Sequence, residues 1–294
     1  MAYTGTGTEQ DPYLVNNLTD FLTCIAIRGA YVKVIADIDA ADDENYDTEL
    51  DSPIRFYCMR CYADEKKIIR GIVVRANYFM YTDVNGTTVE NLSFLDCEHK
   101  KTADYYSVQI QQNRCPFISC DFSMRVLEYG NHSHFANCTA TTTYYQFENC
   151  AFDIEFIHTD INSSLKYLME KCKTHKCNIV FRNACVKNYQ IVSNMNYTAL
   201  LLYNVNLSES VLRPFYSAAN SYIAAAGFVN SDGSTGLDVK YTGGADGIKN
   251  VLVYGTADSE TDDAGTVTVV SPMRKVTAAQ LRSNEYLTEI GFLP

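Results

Sequence analysis

The chain has no tryptophan, no excess of basic residues and no long apolar run. The longest apolar stretch considered, residues 222–229, falls far short of the roughly 18 residues that a membrane-spanning helix needs. With 24 Lys and Arg against 35 Asp and Glu, the formal net charge is −11. That balance argues against nucleic acid as a partner, because phosphate binding wants a basic stripe. No charged-then-apolar signal segment precedes Ala2-Tyr3-Thr4, so an oxidising compartment is not implied and sequons such as Asn137-Cys138-Thr139 carry little weight. A recognisable catalytic signature is also missing. No Ser/His/Asp or Cys/His set stands out, and the glycine-rich residues 243–247 read as a turn, not a phosphate cradle.

What is present is a recurring phrase: an apolar residue, any residue, Asn or Asp, then a small residue. It reads Phe94-Leu95-Asp96-Cys97, Phe117-Ile118-Ser119-Cys120, Phe135-Ala136-Asn137-Cys138, Phe147-Glu148-Asn149-Cys150 and Phe181-Arg182-Asn183-Ala184-Cys185. Looser copies begin at Leu202 and Phe228. The steps between copies are 23, 18, 12, 34, 21 and 26 residues, mostly within the range of one solenoid repeat. The 12-residue step is too short for a full coil and places two copies on different faces; the 34-residue step calls for an insertion. Short bursts of Tyr, Phe, Ile, Val and Thr broken by Asn, Asp, Ser and Gly read as strands and turns. The fold expected is all-β: a right-handed single-stranded parallel β-helix, with Phe in the core and Asn at the bends.

The 11 cysteines fit the same picture. Cys97, Cys120, Cys138 and Cys150 fall in one column of the aligned phrase, and reduced core packing is expected of them, not a disulfide framework.

Residues 1–40 read as an N-terminal strand and a capping helix. Leu18, Phe21, Leu22, Ile25 and Ala26 share one helical face, Asn17 is a cap and Gly29 a stop. An acidic exposed loop is expected over residues 37–51. The β-helix is assigned to 41–232, with a helical insertion near 161–177 on the stripe Leu165, Leu168, Met169 and Cys172. Residues 233–294 read as a small C-terminal β-element, including Val251–Tyr254 and Val267–Val270, then a helix. That helix opens with a Thr277/Gln280 capping box and closes at Gly291.

The opening Gly5-Thr6-Gly7-Thr8 through Asp11-Pro12-Tyr13-Leu14-Val15, the helix after it and the strand Val34-Ile35-Ala36-Asp37-Ile38-Asp39 resemble the start of pectate-lyase-like β-helix proteins. This arrangement is widespread among tailed-bacteriophage virion proteins. The segment Val276-Thr277-Ala278-Ala279-Gln280-Leu281, with Tyr286-Leu287 and Ile290-Gly291-Phe292, resembles the same set. The resemblance implies a virion structural protein, assembled in the host cytoplasm: a rigid component of a tail fibre or spike, or of a capsid fibre or decoration. Its implied partners are other virion proteins, host surface glycan and, in a trimer, copies of itself. The rivals are a polysaccharide-degrading tailspike and a bacterial surface adhesin.

No residue is assigned a catalytic, cofactor-binding or metal role, and an enzyme is not expected. Glycoside hydrolysis needs two carboxylates about 5–9.5 Å apart, whereas the aligned column Asp96, Ser119, Asn137, Asn149, Asn183, Asn204, Asn230 holds one carboxylate among amides. Asp121, Glu148, Asp153 and Glu155 read as solvated charge, although Asp153 and Glu155 share a strand face. Arg114, Arg125 and Lys187 look scattered. Cys58-x-x-Cys61 and Cys172-x-x-His175-x-Cys177 hold enough ligands for zinc but read more simply as core cysteines beside a surface His. His132 and His134 share a face, and the acidic run at residues 258–263 reads as a turn.

Overall fold

The computed structural model describes residues 3–46, 49–82, 87–100, 108–112, 115–127, 133–138, 145–157, 165–182, 185–186, 192–196, 199–203, 206–207, 215–219, 221–226, 248–254, 273–275 and 289. Their strands join one 24-stranded sheet in which the paired strands run parallel, the arrangement of a parallel β-helix. Stacking starts at Tyr13–Val15 on Tyr31–Val34 and runs through Ser221–Ala226, Ile248–Tyr254 and Met273–Lys275. It therefore crosses both expected domain boundaries, and the C-terminal strands continue the solenoid instead of forming a separate element.

The coil length is uneven. Thr88 stands against Arg60, Phe117 against Val89, Phe147 against Phe117 and Thr174 against Phe147, so the levels take 28, 28, 30 and 27 residues. Further along, Asn178 pairs with Ala199 and Ala199 with Tyr222, a level of 21 and then one of 23.

The stacking explains the repeated phrase and corrects its alignment. Val89, Phe117, Phe147 and Thr174 form one inward column. Two residues on, Asn91, Ser119, Asn149 and Lys176 turn the corner with φ of 57°, 54°, 53° and 52°, the left-handed region that Asn and Ser tolerate better than β-branched residues. The next column is Leu92, Cys120, Cys150 and Cys177. In each of the last three the thiol sits 3.4 Å from the carbonyl oxygen two residues back, and 3.3–3.4 Å from a carbonyl of the preceding level. A left-handed corner turns that carbonyl inward, and an S–H is the smallest apolar side chain able to donate to it. Cys97 does the same at another corner, following left-handed Asp96 and lying 3.4 Å from Leu95 O.

Phe94 thus stacks on Phe122, not on Phe117, and Cys97 stands against Met124. The coil has a first face at the Phe117 and Phe147 column, a second where Asp121–Leu127 stacks on Ala151–Ile157, and a third where Val108–Gln112, Ser133–Cys138 and the start of Leu165–His175 stack. Asn137 lies within a strand of the third face, where its amide nitrogen is 3.4 Å from Gln111 Oε1. The single column of amides expected from the sequence does not form. The copies at Phe117 and Phe147, and those at Phe181 and Leu202, do stack as aligned. The copies beginning at Phe135 and Phe147 lie on different faces. Residues 183–184, 204–205 and the copy at Phe228 lie outside the described residues.

Inside the coil the phenylalanines stack with the levels. Phe94, Phe122 and Phe152 lie nearly parallel at 5.7 and 5.0 Å, and Phe117 and Phe147 do so at 5.6 Å. The helix Leu18–Ile25 covers the start of this core. Asn17 accepts from Asp20 N at 2.8 Å, Leu18, Phe21, Cys24 and Ile25 are buried, and the Phe21 ring reaches Phe56 and Phe94. Ahead of it, Gly5 and Gly7 have φ of 95° and 75°. A Cβ would meet Pro12 O at 2.0 Å at the first and the Tyr13 ring at 2.4 Å at the second, which is why the opening needs Gly at both places.

Three further expectations change. Residues 37–51 are not a plain exposed loop: Ile38–Asp39 pairs with the strand Arg60–Arg70, Ala40–Asp42 is a 3-10 turn, and Ile38 and Ala40 are buried. The helix expected near 161–177 is the strand Leu165–His175, with Leu168, Met169 and Cys172 inside. Hydrogen bonding to levels on both sides, with a register shift between Met169 and Lys173, imposes extended backbone on a stripe that reads locally as helical. Cys138 and Cys172 are joined as a disulfide, while Cys24, Cys58, Cys61, Cys97, Cys115, Cys120, Cys150 and Cys177 are buried and outside any disulfide. The strand Val251–Tyr254 forms as part of Ile248–Tyr254. Val267–Val270 and the capping box at Thr277 lie outside the described residues, of which Glu289 alone in that segment is helical.

Candidate functional site

Outward positions of the second face carry the charge. In the strand Asp121–Leu127, Ser123 and Arg125 point outward; the level after it places Asp153 against Ser123 and Glu155 against Arg125, and the level before places Glu98 against Arg125. Strand alternation puts their neighbours Phe122, Met124 and Val126 inside. Asp96 joins the group because its left-handed backbone and the register shift beside it swing that segment of the strand Thr88–Lys100 round a corner. The result is a groove of about 460 Å³ lined by Val73, Asp96, Cys97, Glu98, Ser123, Met124, Arg125, Asp153 and Glu155.

Two carboxylates flank the Arg125 guanidinium, and Asp96 and Asp153 line the same groove. Arg125 Nη1 is 3.3 Å from Glu98 Oε2, and its Nε is 4.0 Å from Glu155 Oε2. Lys100 Nζ reaches Glu98 at 3.4 Å and Glu49 at 3.5 Å. Glu98 and Glu155 sit two levels apart, about 9.6 Å by strand spacing, with Arg125 between them; Asp153 and Glu155 are about 6.8 Å apart along one strand. Carboxylates and a guanidinium lining one groove can accept from and donate to hydroxyl groups.

Arg125 is therefore not scattered, and Asp153 and Glu155 belong to an acidic groove. Glu98 and Ser123 were missed. Aligning Cys120 with Cys150 brings Ser123 and Arg125 beside Asp153 and Glu155 from sequence alone. Glu98 is hidden by the misplaced copy at Phe94.

The other candidates lie elsewhere. Asp121 binds Lys66 at 2.8 Å and Ser93 Oγ at 2.9 Å. On the first face, Glu148 meets His175 Nδ1 at 3.2 Å, and the His175 ring stacks on Tyr145 at 4.5 Å. Cys58 and Cys61 do not meet Cys172, His175 and Cys177. Four levels, about 19 Å by strand spacing, separate Cys61 from the neighbourhood of Cys177, and Cys172 is engaged by Cys138. No group of three or more His, Cys, Asp or Glu side chains among the described residues is arranged to hold a metal ion. Arg114, His132, Lys187 and residues 258–263 lie outside the described residues, and for His134 only the backbone is described. Among the described residues, no helix is long and apolar enough to cross a membrane. Comparison of the chain with models of protein families, with curated proteins and with solved structures found no match.

Proposed function

We propose that this chain is a rigid structural component of a tailed-bacteriophage virion, a β-helical part of a fibre, spike or capsid decoration that meets other virion proteins and host surface glycan. The observation that carries the reading is the uninterrupted stack of parallel levels under a helical cap, reached through the Gly5–Gly7 turn that resembles the opening of such proteins. A stack held by hydrogen bonds between levels, with Phe rings packed inside from Phe21 to Phe181, resists bending, which suits a mechanical part. The first test is the solution mass by light scattering coupled to size exclusion. A stable trimer near three times 33.0 kDa supports a self-contained fibre or spike. A strict monomer that binds no bacterial surface polysaccharide overturns the adhesive form of the reading.

A second reading, a glycan depolymerase, is favoured by one specific observation: Asp96, Glu98, Asp153 and Glu155 line one open groove with Arg125. Release of new reducing ends from a host polysaccharide, lost in Glu98→Gln or Asp153→Asn, supports it. Binding without shortening returns the groove to a purely adhesive role.

A further inference from the structure

The corner column Cys120, Cys150, Cys177 holds three buried thiols on three successive levels. Neighbouring levels are about 4.8 Å apart, within the Cα separations of about 4.4–6.8 Å that a disulfide spans. Cys150 stands against Cys177, because the pairs Glu148–His175 and Ala151–Asn178 flank them in register. The fold already accepts a bond of this kind, since Cys138 and Cys172 are joined across adjacent levels of the third face at a Cα separation of 5.0 Å.

We propose that Cys150 and Cys177 form a latent cross-link site that closes under oxidation and ties the level of Phe147 to the level of Thr174. With Cys138–Cys172, which ties the level of Phe117 to that of Phe147, the two bonds would chain three successive levels covalently. The oxidant is a small organic disulfide. Burial holds the Cys150 thiol well above its usual pKa, so it ionises only when the corner opens; its thiolate then attacks one sulfur of that disulfide, forming a mixed disulfide and expelling one thiolate. Cys177 then attacks the Cys150 sulfur and expels the second. The two cysteine thiols lose two electrons and two protons, which leave on two molecules of small thiol.

Geometry sets a selection rule. Cys150, in the middle, can bond Cys177 or Cys120 but not both. Cys120 and Cys177 are two levels apart, about 9.6 Å, and cannot bond at all.

The test incubates the intact protein with oxidised glutathione at a temperature where N-ethylmaleimide labels Cys150, so that access is established. Free thiols are then trapped and disulfide-linked peptides mapped by mass spectrometry. A Cys150–Cys177 link exceeding any Cys120–Cys177 link by at least about tenfold is expected from the spacing. In Cys177→Ser the link moves to Cys120–Cys150, and in Cys150→Ser the column forms none. A Cys120–Cys177 link of comparable abundance overturns the proposal. So does the absence of any link within the column while Cys150 is being labelled.

Discussion

His99 gives this solenoid a built-in acid limit. Its side chain is fully buried, between Val74 on one level and Val126 on the next, with its ring edge-on to Phe79 at 6.3 Å and Nε2 2.8 Å from Ala76 O. Burial pulls the imidazole pKa down to about 4 from its usual 6.5, and the hydrogen bond to Ala76 only partly opposes this. Between these values the unfolded chain binds a proton that the folded one refuses. Stability from this residue is thus complete above pH 6.5 and is lost as pH falls toward 4. The slope is about 1.4 kcal/mol per pH unit, and the total is about 3 kcal/mol. In His99→Gln the amide can still donate to Ala76 O, but the side chain does not titrate. Urea unfolding midpoints measured from pH 4 to 7 should therefore fall more steeply with acid in the wild type. Carboxylates and the other histidines are common to both proteins and cancel in the difference. Parallel curves, or a His99 imidazole that titrates near 6.5 by NMR, would refute the reasoning.

Two perturbations test the core and the corner. Phe122→Ala removes a ring stacked on Phe94 and Phe152 and edge-on to Phe117; urea unfolding should show a loss of about 3–5 kcal/mol, and a loss below about 1 kcal/mol would mean that the Phe column is not a packed core. Asn149→Val forces a β-branched residue to φ near 53° on an exposed corner and should cost about 1–2 kcal/mol in the same assay, whereas Asn149→Gly should be close to neutral.

The contrast between the copies at Phe117 and Phe94 shows why one part of the structure was legible and another was not. Phe117-Ile118-Ser119-Cys120 and Phe147-Glu148-Asn149-Cys150 are similar phrases serving the same corner, so reading one over the other recovers the stacking. Phe94-Leu95-Asp96-Cys97 spells the same phrase at a different corner, because any left-handed turn followed by a buried residue selects for it. The segment that stands under Phe117-Ile118-Ser119-Cys120 is Val89-Glu90-Asn91-Leu92, which has no cysteine and does not spell the phrase. Stacking Phe94 on Phe117 puts Asp96 in a column where it does not belong and takes Glu98 away from Arg125, its partner in the true register. The strand Leu165–His175 failed for a related reason: its apolar spacing suits a helix, and only hydrogen bonds to residues far off in sequence make it extended.

The sequence by itself determined the class of fold, the capped start and the corners at Asp96, Ser119 and Asn149. These depend on local chemistry: alternating apolar residues, an Asn cap on an amphipathic helix, glycines where a Cβ would collide, and small polar residues where φ is positive. Tertiary structure alone decided the register elsewhere, and with it the place of Glu98 and Asp96 in the groove and of Cys177 above Cys150. Levels range from 19 to 33 residues, so no fixed count along the chain reveals which side chains lie over one another. That is settled by interlevel hydrogen bonds and Phe stacking, which act between residues a full coil apart.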